Sequence, residues 1–175
     1  MLGLTFLLVS VASAVTAYSA PSKGNMGTQY ASAVEGLTQA GYKASWTIDS
    51  KNWTALGEVM TKDIYYDSSS LGAYGGKSVG LDEVTAAITA AGKNAKTEYL
   101  VTNLYVKELQ TPTKARVITY ITWSHWVESA LKDITKTFRI YYMCDDIWVI
   151  QDGAWKMQHS IVQNMGYKAE APYFG

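Results

Sequence analysis

The sequence predicts an α+β domain in which three N-terminal helices pack inside a curved antiparallel β-sheet to make a cone. Three observations carry this. Between Thr28 and Ile48 the apolar positions Tyr30, Val34, Leu37, Gly41, Ala44 and Ile48 recur at alternating steps of four and three, the period of one long amphipathic helix. From Thr97 onward the period changes to two, and β-branched and aromatic residues become frequent. The resulting strands are long and aromatic on both alternating faces, so one face is expected to cover the helices and the other to meet a partner subunit or a second layer.

In chain order, Met1 to Ala17 is an almost continuous apolar run, too short for a membrane span and ended by small residues. It reads as a secretory signal peptide, residues 1–17, with cleavage after Ala14 or Ala17. Residues 18–27 read as a flexible segment, and 28–175 as one domain. The first helix ends in a polar corner, Asp49-Ser50-Lys51-Asn52, where Ser50 is the expected N-cap of a second short helix carrying Trp53, Leu56 and Met60 on one face. A strand follows from Asp63 to Ser68, then a glycine-rich loop, Gly72 to Gly80, that lacks P-loop spacing. A third helix is expected over Leu81 to Ala91, with Leu81, Val84 and Ile88 inward and Asp82-Glu83 suiting its N-terminus. Four long strands then span Thr97 to Leu109, Lys114 to Val127, Ile134 to Ile150 and Ala154 to Met165. The turns between them are Thr111 to Thr113, Glu128 to Asp133, and Asp152-Gly153, the last a strong hairpin signal.

Composition narrows the function. With 15 Lys plus Arg against 15 Asp plus Glu there is no net charge and no basic run to track a phosphate backbone, so nucleic acid is not an expected partner. A single cysteine, Cys144, makes no intrachain disulfide, and with two histidines no metal-ligand spacing arises. Asn52-Trp53-Thr54 is a glycosylation sequon open to a chain in the secretory route.

The order of helix, Asp-Ser-Lys-Asn-Trp corner, Asp63 to Asp67 strand, glycine loop, short helix and final Asp152-Gly153-Ala154-Trp155-Lys156 hairpin resembles the SnoaL-like branch of the NTF2-like superfamily. Within that branch it is most similar to the scytalone dehydratase group, over roughly Thr28 to Met165. The resemblance implies an NTF2-like cone. It places the dehydratase's pocket aspartate at Asp49, a family histidine at Tyr99, a second close to His125, and a pocket serine and asparagine at Tyr142 and Cys144. The tyrosine before the pocket aspartate is replaced by Ile48, and a further family tyrosine falls near Ser68. With most of that polar set replaced, scytalone itself is not the expected substrate. In the wider SnoaL-like branch an aspartate six residues before the Asp-Gly turn often sits in the pocket; here it is Asp146.

Each residue has a plain structural reading beside the chemical one. Asp49 either receives amides at the corner or acts as a pocket acid. His125, in an aromatic strand, either passes protons near neutral pH or is a core histidine. His159 is expected to face away from the pocket. Asp145 and Asp146 point to opposite faces; one of them is buried with a raised pKa, or, as a strand-end acid, it is solvated or pairs with an Arg such as Arg139. Among 13 Tyr and 6 Trp, the residues Tyr66, Tyr99, Trp123, Tyr142 and Trp148 alternate so as to line one cavity for a small, flat, mostly apolar ligand. Cys144 is expected to be buried and inert.

These readings leave two functions open. One is a secreted or lumenal lyase, isomerase or cyclase working without a cofactor on a polyketide-like or terpenoid metabolite, with His125 and either Asp49 or Asp146 moving protons while Tyr99 holds an oxygen. The other is a binding protein with the same cone. Either is expected to associate as a homodimer or trimer through the outer sheet face, and to leave the membrane once the leader is removed.

Overall fold

The structure, a computed structural model, describes residues 26–126, 133 and 137–166. The expected leader, nearly all of the 18–27 segment and most of the Glu128 to Asp133 turn lie outside these residues. The first helix, α1 (Met26–Asp49), buries Leu37, Gly41, Ala44 and Ile48 as the spacing requires. It crosses strand β3 (Lys96–Thr111) closely at Gly41, where an added Cβ would stand 2.8 Å from Leu104 Cδ1. No helix among the described residues is long and apolar enough to cross a membrane.

The polar corner is a helix C-cap, which corrects the N-cap expected at Ser50. Lys51 takes a left-handed conformation at φ 56°, its amide donates to the Ile48 carbonyl at 3.0 Å, and the Asn52 amide donates to the Thr47 carbonyl at 3.1 Å. This is the Schellman arrangement, with Lys51 where glycine is usual. Ser50 Oγ donates back to Thr47 O at 3.2 Å, so its hydroxyl serves the helix behind it. Asn52 stands at the N-cap of a 3-10 segment over Trp53–Glu58. Met60 already belongs to the next strand, β1 (Met60–Asp67).

The glycine-rich loop also holds structure: a 3-10 segment over Ser69–Tyr74 and a short strand, β2 (Lys77–Val79). The described residues thus contain two α-helices and two 3-10 segments rather than three N-terminal helices. Helix α2 (Leu81–Ala91) forms where expected, with Val84 and Ile88 buried, and Glu83 accepts from the Val79 amide at 2.8 Å.

The long strands are β3, β4 (Lys114–Trp126), β5 (Phe138–Gln151) and β6 (Ala154–Asn164). The β5–β6 hairpin closes through Asp152 and Gly153 at φ 54° and 77°, the twist-matched two-residue turn that Asp-Gly encodes. All six strands form one sheet in the order β2-β1-β6-β5-β4-β3. It is not wholly antiparallel, because β1 lies parallel to β6. The connection makes this possible: most of the chain intervenes between β1 and the last strand, far more than the crossover a parallel pair requires.

The sheet curls over α1 and buries its inner face in rows. Pairing aligns Met60, Met157, Trp148, Ala115 and Leu109, then Tyr66, Ser160, Asp146, Val117 and Val106. Further along the strands come Val162, Cys144, Thr119 and Leu104, then Tyr142, Ile121 and Val101. The last two rows are Ile140, Trp123 and Tyr99, then Phe138, His125 and Thr97.

Candidate functional site

The inner rows place seven of the eight expected site residues on one surface. Tyr66, Tyr99, Tyr142, Trp148 and Asp146 line a small pocket of ≈ 50 Å³ between the sheet and α1. Tyr66, Tyr99 and Tyr142 continue into an open cleft of ≈ 590 Å³, where Trp123 and His125 join them beside α2 and the 69–76 segment. Strand alternation explains this placement, since residues 140, 142, 144, 146 and 148 of β5 all point inward with no bulge among 140–147.

Asp146 is the floor of the pocket. It is 1% exposed, and burial pushes its carboxyl up to about 7, against the smaller opposing influence of the Ser160 hydroxyl and the Trp148 indole. Neither donor meets it in hydrogen-bond geometry, so Asp146 Oδ1, Ser160 Oγ and Trp148 Nε1 are each buried without a partner. Tyr66 and Tyr99 keep some contact with solvent through the cleft, yet burial pushes both phenols, and that of Tyr142, well above their usual range. The Asp146 charge adds to the shift at Tyr66 and Tyr142. All three therefore stay protonated at neutral pH as hydroxyl donors. Cys144, in the same wall, is buried, and desolvation raises its pKa strongly, which keeps it a thiol.

His125 sits at the other end of the cavity. Burial lowers its pKa, and the nearby Lys51 ammonium lowers it further, so the imidazole is neutral at pH 7. Its ring stands 5.7 Å from the Trp123 ring. Asp146 pairs with Val117, eight residues from His125 along β4, which is about 25 Å of strand. Curvature shortens that path, but the two groups serve different parts of the cavity.

Asp49 is the exception. Its Oδ1 accepts from Thr97 Oγ1 at 3.1 Å and its Oδ2 from the Tyr99 amide at 2.9 Å. β3 is the edge of the sheet, so this amide has no strand to receive it, and Asp49 supplies the missing acceptor. Burial raises the Asp49 pKa while these two hydrogen bonds hold it down. Its carboxylate lines neither the pocket nor the cleft. Asp49 as the pocket acid that moves protons with His125 is corrected on this point: both border Thr97, but the Schellman turn aims the carboxylate at the edge of β3.

Other expectations resolve by face. Asp145 points outward and receives the Arg116 guanidinium, with Nε at 2.7 Å, in place of the pairing suggested for Arg139. His159 also faces outward, stacked on Tyr65 at 4.9 Å. It does so because a register shift between Ile147 and Trp148 inserts Gln158 as an extra residue: Trp155 and Met157 pack inward, then His159 turns out and Ser160 in. Ser160 and Thr119 are lining residues that sequence reasoning missed. Asn52 is exposed, with Thr54 Oγ1 donating to its Oδ1 at 3.0 Å. Among the described residues no cluster of three or more His, Cys, Asp or Glu could hold a metal ion.

A SnoaL-like domain family matches residues 29–161 of the chain. Among solved structures, the chain is similar to a candidate scytalone dehydratase from Novosphingobium aromaticivorans DSM 12444. That match has TM-score 0.65 and 15% identity, and covers 86% of this chain and 99% of that one. It is also similar to the hexachlorocyclohexane dehydrochlorinase LinA-type3 from Novosphingobium barchaimii LL02 (TM-score 0.61, 14% identity, 81% and 92% covered). A third is the Kfla4162 protein from Kribbella flavida (TM-score 0.65, 16% identity, 80% and 93% covered). No curated protein matches the sequence at a significant level.

Proposed function

Since the chain belongs to the SnoaL-like domain family of NTF2-like cones, we propose that it is a lyase or isomerase/cyclase doing acid-base chemistry on a small, mainly apolar polyketide-like or terpenoid metabolite. One observation carries the reading: a fully buried carboxyl, Asp146, at the floor of a tyrosine-walled pocket, with its pKa pushed up to about 7. A group poised there gives and takes a proton with equal ease at neutral pH, which is what general acid-base catalysis asks of it. The similar proteins described as a candidate dehydratase and a dehydrochlorinase carry elimination in their names, which agrees with this class of reaction.

In the proposed mechanism the apolar body of the substrate lies in the cleft against Trp123 and Tyr99, and its reacting end enters the pocket. Asp146 removes a proton from a carbon next to a carbonyl. A phenol of Tyr66, Tyr99 or Tyr142 donates to the carbonyl oxygen as charge develops on it, and the low-polarity walls strengthen that bond. His125, neutral and at the mouth, handles protons or polar groups at the far end of the substrate. Trp148 closes the pocket wall. Asp49 holds β3, and through it Tyr99, in place.

The test incubates the purified protein with a metabolite extract of its source and follows masses over time. The expected result is the conversion of one metabolite by the parent, slowed on the order of 10²-fold to 10⁴-fold in Asp146→Asn. A metabolite that co-purifies and is never converted refutes the enzyme and leaves the binding protein, a reading favoured by how little of the cavity is polar. His125→Ala slows turnover if its role is chemical and changes only affinity if it is a wall.

A further inference from the structure

Between the sheet and α1 the cavity holds three polar atoms that meet no partner in good hydrogen-bond geometry, although the Ser160 hydroxyl and the Trp148 indole stand near enough to Asp146 to lower its pKa. Asp146, Ser160 and Trp148 are 1%, 0% and 2% exposed, all three line the same ≈ 50 Å³ pocket, and Asp146 Oδ1, Ser160 Oγ and Trp148 Nε1 lack hydrogen-bond partners. They stand on neighbouring strands: Asp146 pairs with Ser160 across β5 and β6, and Trp148 lies two residues along β5 on the same face. Buried polar groups left unpaired cost about 1–3 kcal/mol each, so three around one small space point to an occupant.

The donor and acceptor inventory identifies its chemistry. Trp148 Nε1 only donates, a carboxylate oxygen only accepts, and Ser160 Oγ does either. A group meeting all three must accept from the indole and must serve Asp146 in both of its forms, donating to the carboxylate and accepting from the protonated acid. A hydroxyl does both. An ammonium or amine N–H would face the indole N–H donor to donor, a carboxylate would meet Asp146 charge to charge whenever Asp146 is ionised, a carbonyl would fit only the protonated acid, and a methyl would leave all three unpaired.

We propose that Asp146 Oδ1, Ser160 Oγ and Trp148 Nε1 form a hydroxyl subsite that seats one alcohol or enol group of the substrate and is filled by water when substrate is absent. Ser160 and Trp148 are then specificity-determining residues. The substrate class narrows to apolar metabolites with a hydroxyl at the end that enters first. This deepens the acid-base reading above and rests on its placement of the substrate in the same cavity.

The test uses 2-naphthol and naphthalene as probes of equal shape, with binding followed by ligand-observed NMR. The parent should bind 2-naphthol at least ten-fold more tightly than naphthalene. Ser160→Ala and Trp148→Phe should each close most of that gap, bringing the ratio of 2-naphthol to naphthalene affinity close to one. Equal affinity of the two probes in the parent, binding of neither, or a gap that survives both substitutions overturns the subsite. Should Trp148→Phe not fold, Ser160→Ala decides alone. The parent without probe gives a second readout: the Trp148 indole proton should show a cross-peak to a long-lived internal water, and its absence counts equally against the proposal. Asp146→Asn separates the two readings. Its amide oxygen still accepts from a hydroxyl, so the naphthol gap persists there even as turnover is lost; turnover unchanged in that variant would sink the acid-base reading and leave the subsite standing.

Discussion

The titration of Asp146 should be visible in the stability of the folded protein. An aspartate in an unfolded chain titrates near 3.9, whereas in the fold burial pushes Asp146 up to about 7. The folded state therefore binds this proton more tightly than the unfolded state. Its contribution to stability is complete below about pH 4 and is lost as the pH rises through 7. A gap of about three between the two values, at about 1.36 kcal/mol for each, gives about 4 kcal/mol across the whole window, and about 2.5 kcal/mol of it falls between pH 5 and pH 8. Asp146→Asn keeps the shape and removes the proton. Urea unfolding of parent and variant at pH 5, 6, 7 and 8 should show the variant gaining about 2.5 kcal/mol on the parent over that range. Asp145 on the outer face, held down by the Arg116 guanidinium, stays ionised across this range in both proteins. The groups that face Asp146, namely Tyr66, Tyr142 and Cys144, have pKa values pushed well up and stay neutral throughout. Parallel stability curves would mean that Asp146 is ionised in the fold at every pH tested, and the reason for treating it as a proton carrier at pH 7 would be gone.

Other outcomes can be checked more quickly. Asp49→Ala should cost about 1–3 kcal/mol in urea unfolding, because it leaves the Tyr99 N–H without its acceptor; an unchanged midpoint would mean the edge of β3 does not need that acceptor. Native Cys144 should resist thiol reagents and react only on unfolding, so rapid labelling of the folded protein would contradict its place in the pocket wall. The outer face carries Leu100, Tyr105, Tyr120 and Tyr141 exposed around the Arg116–Asp145 pair. A dimer or trimer formed there should be visible by sedimentation and be weakened by Tyr141→Glu; a monomer at micromolar concentration would remove the proposal. Protein from its native source should begin after Ala14 or Ala17, and amino-terminal sequencing that reads Met1 would end the expectation of a cleaved leader.

Features that depend on a repeat of local contacts are legible in the chain alone. The three-and-four spacing of Leu37, Gly41, Ala44 and Ile48 sets the buried face of α1, and the Asp152-Gly153 turn pins the β5–β6 hairpin. Unbroken alternation on β5 sends Tyr142, Asp146 and Trp148 inward together, so most of one cavity wall is readable as a pattern. Tertiary contacts are needed wherever that local rule is interrupted or the partner is distant. The extra residue at Gln158 reverses the faces of β6 and brings Ser160 into the pocket, and no neighbour of Gln158 in sequence announces it; His159 faces outward as expected, but through this bulge and not through simple alternation. The parallel pairing of β1 with β6 joins residues almost a hundred positions apart. Asp49 could read as a pocket acid or as an acceptor of amides until the left-handed Lys51 aimed it at the unpaired amide of an edge strand. The raised pKa of Asp146 belongs to the same class. A carboxyl's proton affinity is set by the loss of water around it, and that loss exists only when distant strands and α1 have closed over the group.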